Sequence, residues 1–170
     1  SISKYLKSEG RNVSTETILN YIKACTGAFL FYQVKRQDLQ GKKILTVNEK
    51  YYIADHGIRE AVYGSNMKDI QLVLENIVYI ELLRRGYKVT VGKMADKEID
   101  FVCEKQGKKL YLQVAYLLAN EETIHREFDI YYSIRDNYPK YVISLDEYDM
   151  SQNGIKHQNI RDFLLADEWN

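Results

Sequence analysis

Residues 98–116 read EIDFVCEKQGKKLYLQVAY. Two β-rich runs flank KQGK, and a short Gly-containing link between such runs is the signal of an antiparallel hairpin. Side chains alternate across a strand, so Glu98 and Asp100 share one face, and Gln113 points away from Leu112 and Val114. An acidic pair therefore enters the hairpin and a carboxamide leaves it. That pattern suits the lip of a polar site and equally suits a solvated hairpin edge.

The flanking segments build a sheet around this hairpin. Upstream, a strongly apolar helix over about 68–85 closes on Arg84, Arg85 and the C-cap candidate Gly86, and YKVTVG supplies a first strand. Downstream, a helix from about Asn120 to Asp136 leads through DNYPK into KYVISL, most simply a parallel crossover. NIRDFLLADEW forms a short terminal helix. The order is α-β-β-β-α-β, a mixed α/β sheet with helices on its faces.

The first 64 residues follow another pattern. A helix over about 1–9 ends at Gly10, and Ser14 or Thr15 caps a second helix through about Cys25 with Ile18, Leu19, Ile22 and Cys25 as its core face. GAFLFYQVKR and KKILTVNEKYYIAD then form a hairpin around Gly41. Helix, turn, helix, hairpin is the order of a winged helix, here lacking its first helix. Two units are expected, 1–64 and 65–170. In the first, Asn20 and Lys23 on the second helix and Lys42 and Lys43 at the wing tip are candidate nucleic-acid contacts, although Glu16 on the same face would repel phosphates. The same helices could instead pack on a neighbouring domain.

Formal net charge is zero over 170 residues, which excludes coating of nucleic acid by bulk charge. Residues 1–60 nevertheless carry 10 basic against 6 acidic side chains, so a local phosphate-binding patch stays open. Neither a membrane-spanning run nor a basic-then-apolar leader is present, and a cytoplasmic protein is expected. The N-terminus is already amphipathic and lacks Met, the mark of a segment cut from a larger protein. Cys25 and Cys103 lack ligand spacing and read as buried free thiols. The scattered His56, His125 and His157 read as surface or capping residues, and the 15 tyrosines as packing.

Metal-dependent phosphodiester hydrolysis needs carboxylates around a divalent cation and a further cation near the attacking water. A helix acid, a strand acid, a Glu or Gln on the next strand and a Lys two residues later supply this. Glu75, Asp100 and Gln113 fill three of those roles, with Glu75 and Asp100 as candidate ligands for Mg²⁺. The fourth position holds Ala115.

ENIVYIELLRRGY, EIDF and LYLQVAY on this element order resemble the restriction-endonuclease-like PD-(D/E)xK superfamily. With KYYIADHGIRE ahead of them, they more closely resemble the C-terminal region of a group of prokaryotic AAA-type P-loop ATPases, a domain of unknown function. The resemblance implies an ATPase half upstream as partner, with ATP chemistry there, since no G-x-x-x-x-G-K-[ST] loop occurs in this chain. It also implies a nuclease-like site that Ala115 impairs. Losing one preorganised charge stabiliser typically costs about 10² to 10³ in rate. Arg126 is the candidate compensating cation, whereas Lys109 lies too far along its strand. These residues have alternative readings: Glu75 as half of a structural ion pair with Arg126 or a lysine, and Gln113 as a hydrogen-bond partner of the sheet backbone. An accessory module that engages DNA or a protein is the expected function, with an active Mg²⁺-dependent nuclease and a purely structural or oligomerising appendage as alternatives.

Overall fold

The computed structural model describes residues 2–41, 43–64, 66–167 and 169, without the side chains of 46–48. Helix α1 (Ile2–Ser8) stops at Gly10, whose φ of 75° is left-handed. Helix α2 (Thr15–Gly27) starts where the Ser14 hydroxyl accepts from the Thr17 N–H at 3.1 Å. Of its expected core face only Ile18 is buried, and Leu19 is 58% exposed.

Strands β1 (Phe31–Asp38) and β2 (Lys43–Ile53) form the expected antiparallel hairpin. Asp38 shapes its turn by accepting from the N–H groups of Gln40 and Gly41, both at 3.1 Å. The hairpin does not stand free as a wing. β1 runs parallel to β3 (Lys88–Met94), pairing Arg36 with Val91 and Asp38 with Lys93. One mixed sheet of seven strands results, ordered β2-β1-β3-β4-β5-β6-β7, and it crosses the expected boundary at residue 64.

After β2, Asp55 caps a helix α3 (His56–Tyr63) that the sequence reading left unassigned, accepting from Gly57 N–H at 2.7 Å. A single 3₁₀ turn (Met67–Asp69) leads into α4 (Ile70–Arg84), and Gly86 follows with φ 80°. Strands β3, β4 (Lys97–Lys105) and β5 (Lys108–Val114) form an antiparallel meander. Gln106 and Gly107 turn its second hairpin with φ 51° and 76°, the left-handed pair that KQGK called for. Helix α5 (Glu121–Tyr132), capped by Asn120, returns the chain to β6 (Lys140–Ser144) parallel to β5, the expected crossover, but it ends four residues early. A further strand, β7 (Lys156–Asn159), was not foreseen because KHQN carries no β-branched or aromatic residue. Helix α6 (Ile160–Leu165) closes the fold. No helix among the described residues is long and apolar enough to cross a membrane.

Two cores flank the sheet. Val78, Leu82, Phe101, Leu112 and Phe163 pack on the α4/α6 face, while Ile99, Val102, Ala115, Phe128 and Tyr131 pack on the α5 face. Ile99 and Val102 share a face although three apart, so the alternation of β4 breaks between them. The cause is a bulge: Thr90 pairs with Val102 but Gly92 with Ile99. Gly92 sits opposite this bulge, where an added Cβ would lie 3.0 Å from Val102 Cγ2 and 3.1 Å from Ile99 Cβ and Leu39 Cδ1. Gly92→Ala should therefore lower the unfolding free energy by about 1–3 kcal/mol through overpacking, measured by urea denaturation.

Candidate functional site

Polar side chains converge where β4 and β5 part at the bulged end of their ladder. On α4, Leu74, Val78 and Leu82 hold the helix to the sheet, and Glu75 and Asn76 are buried beside them. The Asn76 carboxamide clamps Ile53 of β2, its Oδ1 accepting from Ile53 N–H at 2.8 Å and its Nδ2 donating to Ile53 O at 2.9 Å. That clamp sets the register between α4 and β2. It brings Tyr52 and Lys50, two apart on the strand, to Glu75. Glu75 Oε1 accepts from the Tyr52 hydroxyl at 2.5 Å and lies 2.9 Å from Lys50 Nζ.

Lys50 is the centre of the cluster. Its ammonium also lies 2.9 Å from Glu98 Oε1 and 3.7 Å from Asp100 Oδ1, and Arg36 pairs with the other Glu98 oxygen. Three carboxylates thus surround two cations. The bulge explains why both acids of the hairpin reach a lysine on the α4 side.

Asp100 and Gln113 have reciprocal duties at the end of the ladder. Asp100 Oδ2 accepts from Val114 N–H and Gln113 Oε1 accepts from Asp100 N–H, both at 2.9 Å. Each side chain satisfies a backbone donor that the parting strands leave unpaired. Burial and the Glu75 charge raise the Asp100 carboxyl to about 7, against the opposing pull of Lys50 and the Val114 N–H. Protonating Asp100 would leave two carboxylates facing two cations. Burial first, and then Glu75, push the Tyr52 phenol far above its ordinary range, so it stays a neutral donor.

The structure thus brings Glu75 and Asp100 together around Lys50, with Gln113 bonded to Asp100 through the backbone. Ala115 is 1% exposed and packs in the α5-side core. The Arg126 side chain is 64% exposed and pairs with Glu127 at 2.8 Å. With Gln71, Glu98, Asp100, Gln113 and Glu127 it lines a depression of about 480 Å³. The cation paired with Glu75 and Asp100 is Lys50. Sequence reasoning missed it because it lies in another strand, 25 residues before Glu75; its one signal was a lysine at the head of the aromatic run KYYI.

The donor set does not fit a divalent cation as arranged. Among the described residues no group of three carboxylate, histidine or cysteine side chains is arranged to hold a metal ion. The free valences of Asp100 and Gln113 go to backbone N–H groups, and an ammonium already bridges the acids.

Other candidates lie apart. Asn20 and Lys23 are exposed on α2 and Lys43 is exposed at the far end of β2 from Lys50, whereas Lys42 lies outside the described residues. Cys25 and Cys103 are free, as expected, but only Cys103 is buried, because Cys25 lies on the largely uncovered helix α2. His125 is exposed, but the expectation of a surface role fails for His157. β7 buries that ring, Ser144 Oγ lies 2.8 Å from its Nε2, and its Nδ1 accepts from Met150 N–H at 3.2 Å.

Two measurements check this picture. Removing the ammonium with Lys50→Met leaves carboxylates unpaired and should cost roughly 2–4 kcal/mol of stability in denaturant melts, somewhat below the range for a fully buried pair. Because the Asp100 carboxyl is raised in the folded state, its stabilising contribution is complete below about pH 4 and is lost as pH rises through about 7. The unfolding free energy of wild type minus Asp100→Asn should fall between about pH 4 and 7 and level off above, and a flat difference across that window would remove the raised carboxyl.

No protein-family model matches the chain, and no solved structure matches it. An uncharacterized protein of Haemophilus influenzae is 43% identical over 165 residues, which are 96% of this chain and 40% of that protein. An uncharacterized protein of Methanocaldococcus jannaschii is 31% identical over 134 residues, 76% of this chain and 29% of that protein. The chain thus spans well under half the length of both relatives and matches one region of each.

Proposed function

We propose that this chain is the accessory module of a larger ATPase, built on a restriction-endonuclease-like scaffold that engages another macromolecule without cutting DNA. The observation that carries the reading is the Lys50 ammonium among Glu75, Glu98 and Asp100. A nuclease of this kind leaves its acids open to a metal and holds its lysine beside the attacking water. Here the lysine neutralises the acids, Gln113 holds backbone, and Ala115 belongs to the core. The helix, three antiparallel strands, helix and parallel strand from α4 to β6 support the scaffold. The length of the relatives supports a place within a larger protein.

The same geometry turns the cluster into an internal brace. Lys50 joins the β1–β2 hairpin to α4 and β4 through one charge, which fixes the face presented by α2 and the hairpin. DNA is the partner favoured by the exposed Asn20, Lys23 and Lys43 in a chain whose first 60 residues carry the basic excess.

Incubation with supercoiled plasmid and Mg²⁺ or Mn²⁺ should leave the DNA intact. Cleavage that Asp100→Ala abolishes would overturn the reading in favour of a nuclease in which Lys50 serves the reaction. Fluorescence anisotropy with duplex DNA should show binding that weakens steeply between 50 and 200 mM salt, and Lys23→Glu should weaken it further. Absence of binding at low salt would remove DNA as the partner.

A further inference from the structure

The first 72 residues are unusually poor at hiding their apolar side chains. Among the described residues, thirteen of the nineteen exposed large hydrophobic side chains lie between residues 2 and 72. The excess is not scattered, because α1 and α3 bury no residue and α2 buries only Ile18, while α4 alone buries seven. Ile2, Tyr51, Ile58, Val62, Tyr63 and Leu72 instead line one groove of about 710 Å³ between α1, α3, β2 and the start of α4. Their exposures run from 41% for Tyr51 to 83% for Tyr63. At about 200 Å² for a large side chain, they present on the order of 700 Å², close to the contribution of one partner to a standard interface. Monomeric surfaces rarely leave so contiguous a patch open.

A second observation points to an occupant. His56 also lines the groove, and both of its ring nitrogens are closed off from water with no hydrogen-bond partner among the described residues. Ring nitrogens shut off from water without a partner, on a side chain that is itself only half-buried, carry a desolvation cost that an incoming donor or acceptor would remove. The rim does not suit nucleic acid: its arginine, Arg59, is already tied to Glu60 and Asp69.

We propose that this groove seats another part of the same longer polypeptide, a segment with an apolar face and one hydrogen-bonding side chain for His56. In both relatives the region equivalent to this chain is joined to more than half of the protein, so such a segment is held at high effective concentration. Lys50, Tyr52, Glu75 and Asn76 also line this groove, but their polar groups are already paired with one another or with β2, so docking draws on the exposed apolar rim and stands whether or not the module binds DNA.

Hydrogen exchange read by mass spectrometry tests it, comparing this 170-residue chain with the complete polypeptide that carries it. The amides of α3 should exchange at least tenfold more slowly in the complete polypeptide. Val62→Asp with Tyr63→Asp should restore fast exchange there while β4–β6 stay protected, which shows that the variant remains folded. Equal α3 exchange in the two proteins would overturn the proposal. So would a dimer of the 170-residue chain that protects α3 and that Val62→Asp dissolves, since the groove would then belong to a second copy.

Discussion

A single ammonium ties together three parts of the chain that are distant in sequence. Lys50 sits on the second strand, Glu75 on the central helix, and Glu98 and Asp100 on the hairpin after it. Taking any of these charges out of water is costly unless the others are present, so the cluster makes the positions of β2, α4 and β4 mutually dependent. The Asn76 clamp on Ile53 sets the register, and the Tyr52 hydroxyl fills the remaining need of Glu75. The cluster is the joint that locks the N-terminal hairpin to the rest of the sheet.

The β4 bulge makes that joint possible. Strict alternation would send Glu98 and Asp100 to the opposite face from Ile99 throughout, with Val102 beside the acids. The extra residue between Ile99 and Val102 resets the pattern, so that both apolar residues enter the α5-side core. Gly92 is the small residue that tolerates this crowding. Asp100 then stands where the β4–β5 ladder stops, and its exchange of hydrogen bonds with Gln113 closes two backbone donors at once. Side chains that chemistry would want free are committed to the backbone.

The two ends of the molecule differ in how they meet water. The sheet from β3 onward is covered on both faces, and α6 is held by Arg85, which donates to Phe163 O and Ala166 O at 2.8 Å and stacks over the Phe163 ring at 5.2 Å. The helices α1 to α3 have no such covering. Their amphipathic pattern is as regular as that of α5, yet its apolar side remains open.

Much of the architecture was legible because it is encoded locally. The Ser14 and Asn120 caps, the Gln106–Gly107 turn, the long apolar helix and the parallel crossover all follow from side-chain period and turn chemistry within a few residues. The identities of Glu75, Asp100 and Gln113 as a linked group were legible too, since each is a polar residue inside an apolar run. The sequence alone could not reveal that β1 joins the sheet, that KHQN is a strand, or that Lys50 rather than Arg126 meets the acids. Those outcomes depend on strand pairing and on a one-residue bulge, and both are settled by which distant surfaces bury each other rather than by any local preference.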